Sequence, residues 1–445
     1  MEQRKTTRRV FLMGTALTVA GCATSRKRVR ISSPNEKLNT AHIGVGGKGR
    51  GHLEHCYKNE TVVAMCDVDD VSAAESYDKY LKPNRYRDFR VMLEKEKSID
   101  AVVVATPDNT HAVAAMAAMQ LGKHVYVEKP LAYCVSEVRM LTKAARKYNV
   151  ATQMGNQGHS MDCARQVCEM IWTGAIGNVR EAHCWTDRPI WPQGIPGPLP
   201  SMPVPDTLDW DLWLGPAAER PYNKGYLPDN WRGWWDFGGG ALGDMGCHNM
   251  DPANWALHLG APSSVECVTQ EGSNPQTYPT KSIIKYEFPE RKWEGKTFVP
   301  VTFYWYDGKL LPPSPKGLPE SVKIGEGSNG TLFIGDEGCL TCGVYGGDAR
   351  LLPETRMKDY TMPDPFLERI PNEDHRDNWL RACKGGKPAC SNFDYAGPLA
   401  EMVLLGNVAL RIGQRIEWDS RKMKVTNIPE ANRFVTRRYR DGWEL

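Results

Sequence analysis

Leu38-Asn39-Thr40-Ala41-His42-Ile43-Gly44-Val45-Gly46-Gly47-Lys48-Gly49-Arg50-Gly51 passes from a short apolar run into a cluster of glycines. His52-Leu53-Glu54-His55-Cys56-Tyr57 follows, and the whole reads as strand, turn and helix. Gly44, Gly46 and Gly49 keep the G-x-G-x-x-G spacing, with Gly47 and Lys48 in the same turn. Glycines here permit a tight turn and let backbone approach a pyrophosphate. The helix N-terminus behind them supplies N–H donors and the positive end of its dipole. Thr61-Val62-Val63-Ala64-Met65-Cys66 predicts a second strand, ended by Asp67. A carboxylate about twenty residues past the glycines accepts hydrogen bonds from an adenosine ribose. It also repels a 2′-phosphate, which favours NAD over NADP.

The alternation continues outward. Ile99 to Ala105 is an apolar run followed by Thr106-Pro107-Asp108-Asn109-Thr110-His111, and a helical period runs from His111 to Leu121. His124-Val125-Tyr126-Val127-Glu128 predicts another strand, ending in Lys129-Pro130. Val135 to Lys147 predicts a helix and Ala151 to Met154 a short strand. Strands alternating with helices imply a doubly wound parallel sheet, whose ligands bind beyond the strand C-termini. Gly44, Asp67, Thr106 and Glu128-Lys129 all fall at such ends. The expected fold is therefore α/β: an N-terminal Rossmann domain over 38–157. A C-terminal α+β domain with a large open, mostly antiparallel sheet is expected over 158–445.

The glycine loop, Thr106-Pro107-Asp108-Asn109-Thr110-His111 and Glu128-Lys129-Pro130 together resemble the Gfo/Idh/MocA oxidoreductases, the family of glucose–fructose oxidoreductase and inositol dehydrogenase. The resemblance implies a nicotinamide cofactor, NAD, and a sugar substrate. It places Lys129 between nicotinamide and substrate, the 106–111 loop beside the nicotinamide ribose, and Pro130 in a cis bond. The expected cofactor set is then Gly44, Gly46, Gly47, Lys48, Gly49, Asp67, Thr106, Pro107, Asn109, His111, Glu128, Lys129 and Gln157. A lysine at this spot can polarise an oxygen and stabilise developing negative charge.

In the second half a helix is expected over Met161 to Trp172, then a stretch dense in proline and tryptophan. Trp185, Trp191, Trp210, Trp213, Trp231, Trp234, Trp235 and Trp255 are eight of the fourteen tryptophans in the chain. Indole faces stack on sugar C–H faces; plain packing of each as a large apolar body is the competing reading. Gly238-Gly239-Gly240 leads into Asp244 and His248, four apart and so on one helix face, with Ala253 to Leu259 continuing the helix. Histidine can take an alcohol proton near neutrality, and a carboxylate can orient it. The Asp-x-x-x-His spacing also matches the family's catalytic pair. Catalysis is assigned to Lys129, Asp244 and His248. Substrate contacts are assigned to Arg188, Trp191, Arg232, Trp235, Asp244 and His248. No metal is expected; Cys339-Leu340-Thr341-Cys342 has no second pair and reads as structural. Thr331 to Leu340 predicts a hairpin. Asp377 to Cys383 and Ala396 to Ile412 predict helices, the latter packing near the domain junction, as in the family.

The N-terminus reads as an address. Thr7-Arg8-Arg9-Val10-Phe11-Leu12 resembles a twin-arginine export signal, and Val19-Ala20-Gly21-Cys22 a lipobox that would lipidate Cys22. Residues 1–21 are read as signal and 22–37 as linker. Arg26-Lys27-Arg28-Val29-Arg30 then tethers the chain near a membrane surface, or is a solvated linker. The signal carries four basic residues and one acidic. Removing it leaves 52 of each from the 56 Lys+Arg and 53 Asp+Glu of the 445-residue chain, so nucleic-acid binding has no compositional support. The expected protein is an exported, lipid-anchored, homo-oligomeric enzyme on the periplasmic side. It oxidises a ring hydroxyl of a sugar or glycoside, in one form at C3, with tightly held NAD. A keto-glycoside lyase or hydrolase would be its partner. The alternatives are an NAD-dependent glycoside hydrolase working by oxidation, elimination, hydration and reduction, and a non-catalytic sugar-binding lipoprotein.

Overall fold

Six strands form a wholly parallel sheet: β1 (Asn39–Ile43), β2 (Thr61–Cys66), β3 (Asn84–Tyr86), β4 (Ala101–Val104), β5 (His124–Val127) and β6 (Thr152–Met154). Their order is β3-β2-β1-β4-β5-β6, so the winding reverses between β1 and β4 and opens a crevice there. The computed structural model describes residues 36–319 and 321–445; the signal, Cys22 and the tether to residue 35 lie outside them. β4 is Ala-Val-Val-Val and is buried at every position, as a central parallel strand must be when helices cover both faces. β3 has no apolar run; Asn84-Arg85-Tyr86 is a half-exposed edge, which is why the sequence pattern does not show it. The alanine-rich helix His111–Gln120 lies almost entirely inside.

A helix from far downstream covers part of this sheet. His375–Cys383 sets Trp379 and Leu380 against Leu38, Val103 and Tyr126. The Trp379 ring meets Tyr126 edge-on at 5.7 Å.

The second domain is built on β7 (Val179–Trp185), β8 (Ser264–Glu271), β9 (Lys281–Phe288), β12 (Val301–Tyr306), β13 (Gly330–Gly335), β14 (Gly338–Cys342), β15 (Arg350–Leu352), β16 (Arg415–Asp419) and β17 (Lys424–Val425). They pair in the order β15-β14-β13-β7-β12-β9-β8-β16-β17. β10 (Arg291–Trp293) and β11 (Lys296–Phe298) make a separate hairpin. Every pair in the large sheet is antiparallel except β7 with β12. Along β9 buried and half-buried residues alternate, so one face holds the core. The apolar helix Phe393–Ile412 lies against β8 and β9. It also packs on the helices Val135–Tyr148 and Gly240–Asn249, at the junction of the two domains.

Two local departures have physical reasons. The helix expected to run on through Leu259 breaks at Met250 and restarts as Asp251–Leu257, because Pro252 has no N–H to give to the first helix. The proline-rich stretch after β7 makes only short helices, yet it carries its own core. Trp210 stacks on Trp213 at 4.8 Å, and Tyr226 meets Trp234 and Phe237 edge-on. Most of the tryptophan surplus is therefore packing.

Trp379→Ala should strip the downstream helix from the parallel sheet. We expect a loss of about 3–5 kcal/mol of unfolding free energy in denaturant titration. A loss below about 1 kcal/mol would show that the helix does not depend on this contact.

Candidate active site

One cleft of about 550 Å³ runs from the ends of β1 and β2 to the Gly240–Asn249 helix. At its first end Gly44 has φ +80°, and a Cβ there would lie 2.5 Å from the Ala105 carbonyl oxygen. Gly49 presses on the Gly44 carbonyl and so faces the fold, not the cleft. A Cβ on Gly47 would meet only open space. Gly46 caps the Gly47–Asn59 helix without a side-chain hydrogen bond, so the first-turn N–H groups stay open to an anion. Asp67 sits at the end of β2, accepting the Val45 N–H at 2.9 Å and the Asp69 N–H at 3.1 Å. Burial pushes its carboxyl above the ordinary value against those bonds. A glycine cradle, a bare helix start and a buried ribose-height carboxylate fit a dinucleotide.

The other end gathers charge. Lys129 follows β5, and its peptide bond to Pro130 is cis. Its ammonium donates to Asp244 Oδ1 at 2.7 Å and to the Asp244 carbonyl at 2.8 Å. Arg232 Nε donates to the same Oδ1 at 3.2 Å, and Arg188 Nε lies 4.0 Å from Oδ2. Burial alone would raise the Asp244 carboxyl, but Lys129 and Arg232 pull it down to about 2. Burial would likewise lower the Lys129 ammonium, and Asp244 more than offsets this, holding it above the ordinary range. Both stay ionised.

Asp244 Oδ1 is thus taken by Lys129 and Arg232, and no hydrogen bond joins the carboxylate to His248, the residue its spacing suggested it would orient. His248 lines the cleft with Nδ1 buried and unpartnered, so Nε2 is the ring nitrogen able to reach a ligand. Burial, then Lys129, pushes its pKa down to about 3, so the ring is neutral near neutral pH. The edge of Tyr345 rests on it at 5.1 Å, and Tyr345 takes a hydrogen bond from Gln157 at 3.0 Å.

Lys48, Asp67, Thr106, Pro107, Glu128, Lys129, Gln157, Arg232, Asp244 and His248 all line the cleft, with Gly44, Gly46 and Gly47. Glu128 Oε1 lies 2.7 Å from His52 Nε2, a contact that helps hold the carboxyl at about 2 against burial. Other expected site residues stand elsewhere. Asn109 is fully buried and donates to the Leu214 carbonyl, so it fastens the cleft wall. His111 bridges the Pro130 and Thr106 carbonyls at 2.8 and 2.9 Å, tying two cleft loops together from below. Trp191 is buried and bonded to Gln193, with the Arg232 guanidinium 5.7 Å over its ring. Trp235 lies outside the cleft, packed on Tyr278 at 3.6 Å. The tryptophans that do face the cleft are Trp213, Trp231 and Trp443. Sequence reasoning also missed Asp108 and Tyr345. Asp108 sits within the recognised 106–111 loop, whereas nothing local marks Tyr345.

Asp108 is buried against the start of the Gly240–Asn249 helix, its Oδ2 3.3 Å from where a Gly239 Cβ would stand. Burial raises its carboxyl from 3.8 to about 7, against the pull of Arg232 and Lys129. Between those values the folded chain keeps a proton that the unfolded chain has lost, so this group's contribution to stability falls as pH rises. Asp108→Asn keeps the neutral shape and removes that fall. Variant stability minus native stability should therefore grow from pH 4 to 7, by at most about 4 kcal/mol. Denaturant titration at stepped pH measures it, and a flat difference would count against a buried protonated Asp108.

The N-terminal domain matches the GFO_IDH_MocA model, described as oxidoreductase family, NAD-binding Rossmann fold, over residues 38–156. Residues 187–288 match that family's C-terminal alpha/beta domain. Among curated proteins, a glycosyl hydrolase family 109 protein of Shewanella woodyi is 30% identical over 161 residues, 34% of each chain. The inositol 2-dehydrogenase of Salmonella typhimurium is 29% identical over 151 residues, 33% of this chain and 45% of its own. The chain thus matches between a third and a half of these relatives' length. The WlbA dehydrogenase of Bordetella pertussis, solved with NADH and UDP-GlcNAcA, superposes with TM-score 0.59 at 17% identity, over 86% of this chain and 99% of its own. The aldose-aldose oxidoreductase of Caulobacter crescentus does so with TM-score 0.54 at 17% identity, over 86% and 100%. At such identities the superpositions speak for the fold. With the two domain models falling in order on the two domains, the chain belongs to the Gfo/Idh/MocA family of oxidoreductases, with an NAD-binding Rossmann domain at its N-terminal end.

Proposed function

We propose that this protein oxidises a ring hydroxyl of a sugar or glycoside, at C3 in the specific form, giving a 3-keto glycoside. The observation that carries this reading is the pairing of two groups at the inner end of the dinucleotide cleft. An ammonium, Lys129, is fixed by Asp244, and a neutral imidazole, His248, is left free to accept a proton. In the bound state NAD would be held by Gly46, Gly47, Lys48 and Asp67 and would supply a hydride acceptor. The chain's own groups do the rest. His248 Nε2 takes the hydroxyl proton, and Lys129 stabilises the alkoxide as it forms. Arg232 shares the Asp244 oxygen that holds that ammonium, and Arg188 lies 4.0 Å from the other. Trp231 and Trp213 add apolar surface to the cleft wall, with the Arg232 guanidinium 4.3 Å over the Trp231 ring.

Tight retention of the cofactor belongs to the same proposal. The segment after β7 lies across the Asp67 end of the cleft. Asp70 N–H donates to the Thr207 carbonyl at 3.0 Å, and Asp209 N–H to the Val68 carbonyl at 2.9 Å. Such a strap slows release of whatever lies beneath. It suits an exported protein, anchored through Cys22, that works where free NAD is scarce and hands its keto product to an eliminating or hydrolysing partner. A second reading, glycoside hydrolysis through transient oxidation at the same site, is favoured by the glycosyl hydrolase family 109 relative.

The test is an absorbance screen of the purified chain with glucosides and disaccharides. Reduced nicotinamide should form with glycosides; aglycone released with no net reduction would select the second reading. Lys129→Ala should keep bound NAD and lose at least about 100-fold in kcat. Full turnover by that variant would remove Lys129 from the chemistry. For the anchor, Cys22→Ser should move the protein from the membrane to the soluble fraction.

A further inference from the structure

Behind the catalytic helix lies a second cavity, of about 760 Å³, separate from the cleft. Its charge is one-sided. Arg411, Arg433, Arg437 and Arg438 line it, against a single carboxylate, Asp236. Asp236 is already ion-paired with Arg220. Among the described residues Arg411, Arg433 and Arg438 meet no carboxylate and no hydrogen-bond acceptor; Arg433 and Arg438 are exposed and Arg411 is half-buried.

Two of these guanidiniums are held in place. Arg411 lies 4.4 Å from the Trp235 ring and 4.8 Å from the Phe434 ring. Arg437 lies 4.3 Å over Tyr133. A guanidinium laid on aromatic faces keeps its N–H edges for an acceptor in its own plane, the geometry that suits carboxylate and phosphate. Such pre-organisation lowers the entropy lost on binding.

Unmet polar atoms stand in the same wall. The Arg437 side chain is 7% exposed; its Nη1 lies 3.7 Å from the buried Glu137 carboxylate, while its Nε is buried without a partner. Asn407 is 7% exposed, and its Oδ1 is likewise unpartnered. Both side chains also brace the cleft: Arg437 Nη1 donates to the Asn109 carbonyl at 2.9 Å, and Asn407 Nδ2 to the Gly239 carbonyl at 3.0 Å. A ligand here would sit directly behind the loop and helix that carry Asp108 and Asp244.

We propose that this arginine-lined cavity is a second binding site, for an oxyanion: a carboxylate or phosphate borne on a small molecule. The free N–H edges of Arg411 and of the exposed Arg433 would grip its anionic group, with Arg437 adding charge from behind them. Nothing in this depends on the reaction proposed for the cleft.

Calorimetry on the full chain, saturated with NAD so that the glycine loop is filled, tests it with inorganic phosphate, glucuronate and glucose as probes. One or both anions should bind with one site per chain, and glucose should not bind at this site. Arg411→Gln and, separately, the exposed Arg433→Gln should each weaken the anion at least about tenfold. Retained NAD binding in both variants shows that they fold. A phosphate-only response identifies a phosphate ligand, and a stronger glucuronate response a sugar acid. The proposal is overturned if neither anion binds, or if both variants bind as the native chain does. It is equally overturned if the substitutions leave anion binding unchanged but alter self-association, which would make the cavity a contact between copies.

Discussion

The contact between Lys129 and Asp244 joins what the fold would otherwise leave as two halves of a site. Lys129 ends a strand of the parallel sheet, and Asp244 sits on a helix of the second domain. Both side chains are largely buried, at 15% and 12% exposure. Taking two charges out of water costs several kcal/mol for each ion, and their attraction repays this only when the remaining hydrogen-bonding capacity is also met. Here it is met in part: Lys129 reaches two oxygens of one residue, Arg232 shares its Oδ1, and Oδ2 has only the Arg188 charge at 4.0 Å. Removing Asp244 takes the ion-pair partner from a largely buried ammonium, whereas removing Lys129 leaves Asp244 with Arg232 alone at hydrogen-bond distance. The pair therefore ties domain packing to the electrostatics of the site, and neither can be altered alone.

The second domain supplies more than Asp244. The irregular segment after β7 would gain little from regular structure, since its prolines remove N–H groups throughout. It is ordered instead by aromatic packing. Arg220 is held among Tyr226, Trp234 and Phe237, with its charge met by Asp236. Trp213 and Trp231 of that small core reach the cleft wall. Trp235, next in the chain after Trp234, belongs instead to the main core, packed on Tyr278 with the Arg411 guanidinium on its ring.

Much of this was legible in the chain because it is written in local pattern. A buried parallel strand such as β4 shows as an apolar run. The glycine spacing marks a turn that only glycine tolerates, and Asp244 with His248 at four residues must share a helix face. What was not legible depends on distant contacts. Trp191, Trp231 and Trp235 are alike as residues. Which of them faces the cleft is decided by the path of a segment with little periodicity to read. Asn109 and His111 fit the motif that contains them, yet their side chains turn inward to hold backbone carbonyls. The adjacent Asp108 turns toward the cleft. Asp244 and His248 share one helix, as their spacing requires, but the hydrogen-bond partners of Asp244 come from residues 115 and 12 positions away in the chain.

Burial acts on the site's titratable groups in opposite senses and reaches the same end. It disfavours the charged form, so an imidazole is pushed down and a lone carboxyl up. His248, pushed to about 3, and Asp108, pushed to about 7, are thereby both biased toward neutrality. Asp244 escapes only because two cations address it directly. The result is a cleft whose inner charge is concentrated in Lys129, Asp244 and Arg232, with ionised Glu128 beside them and neutral His248 and Asp108 around them. Fixed charges in a water-poor site act on a reacting oxygen without first having to reorganise. The arrangement has one cost that follows from the same physics. If His248 is the proposed base, its imidazolium would stand beside the Lys129 ammonium in buried surroundings, and both effects disfavour the protonated ring.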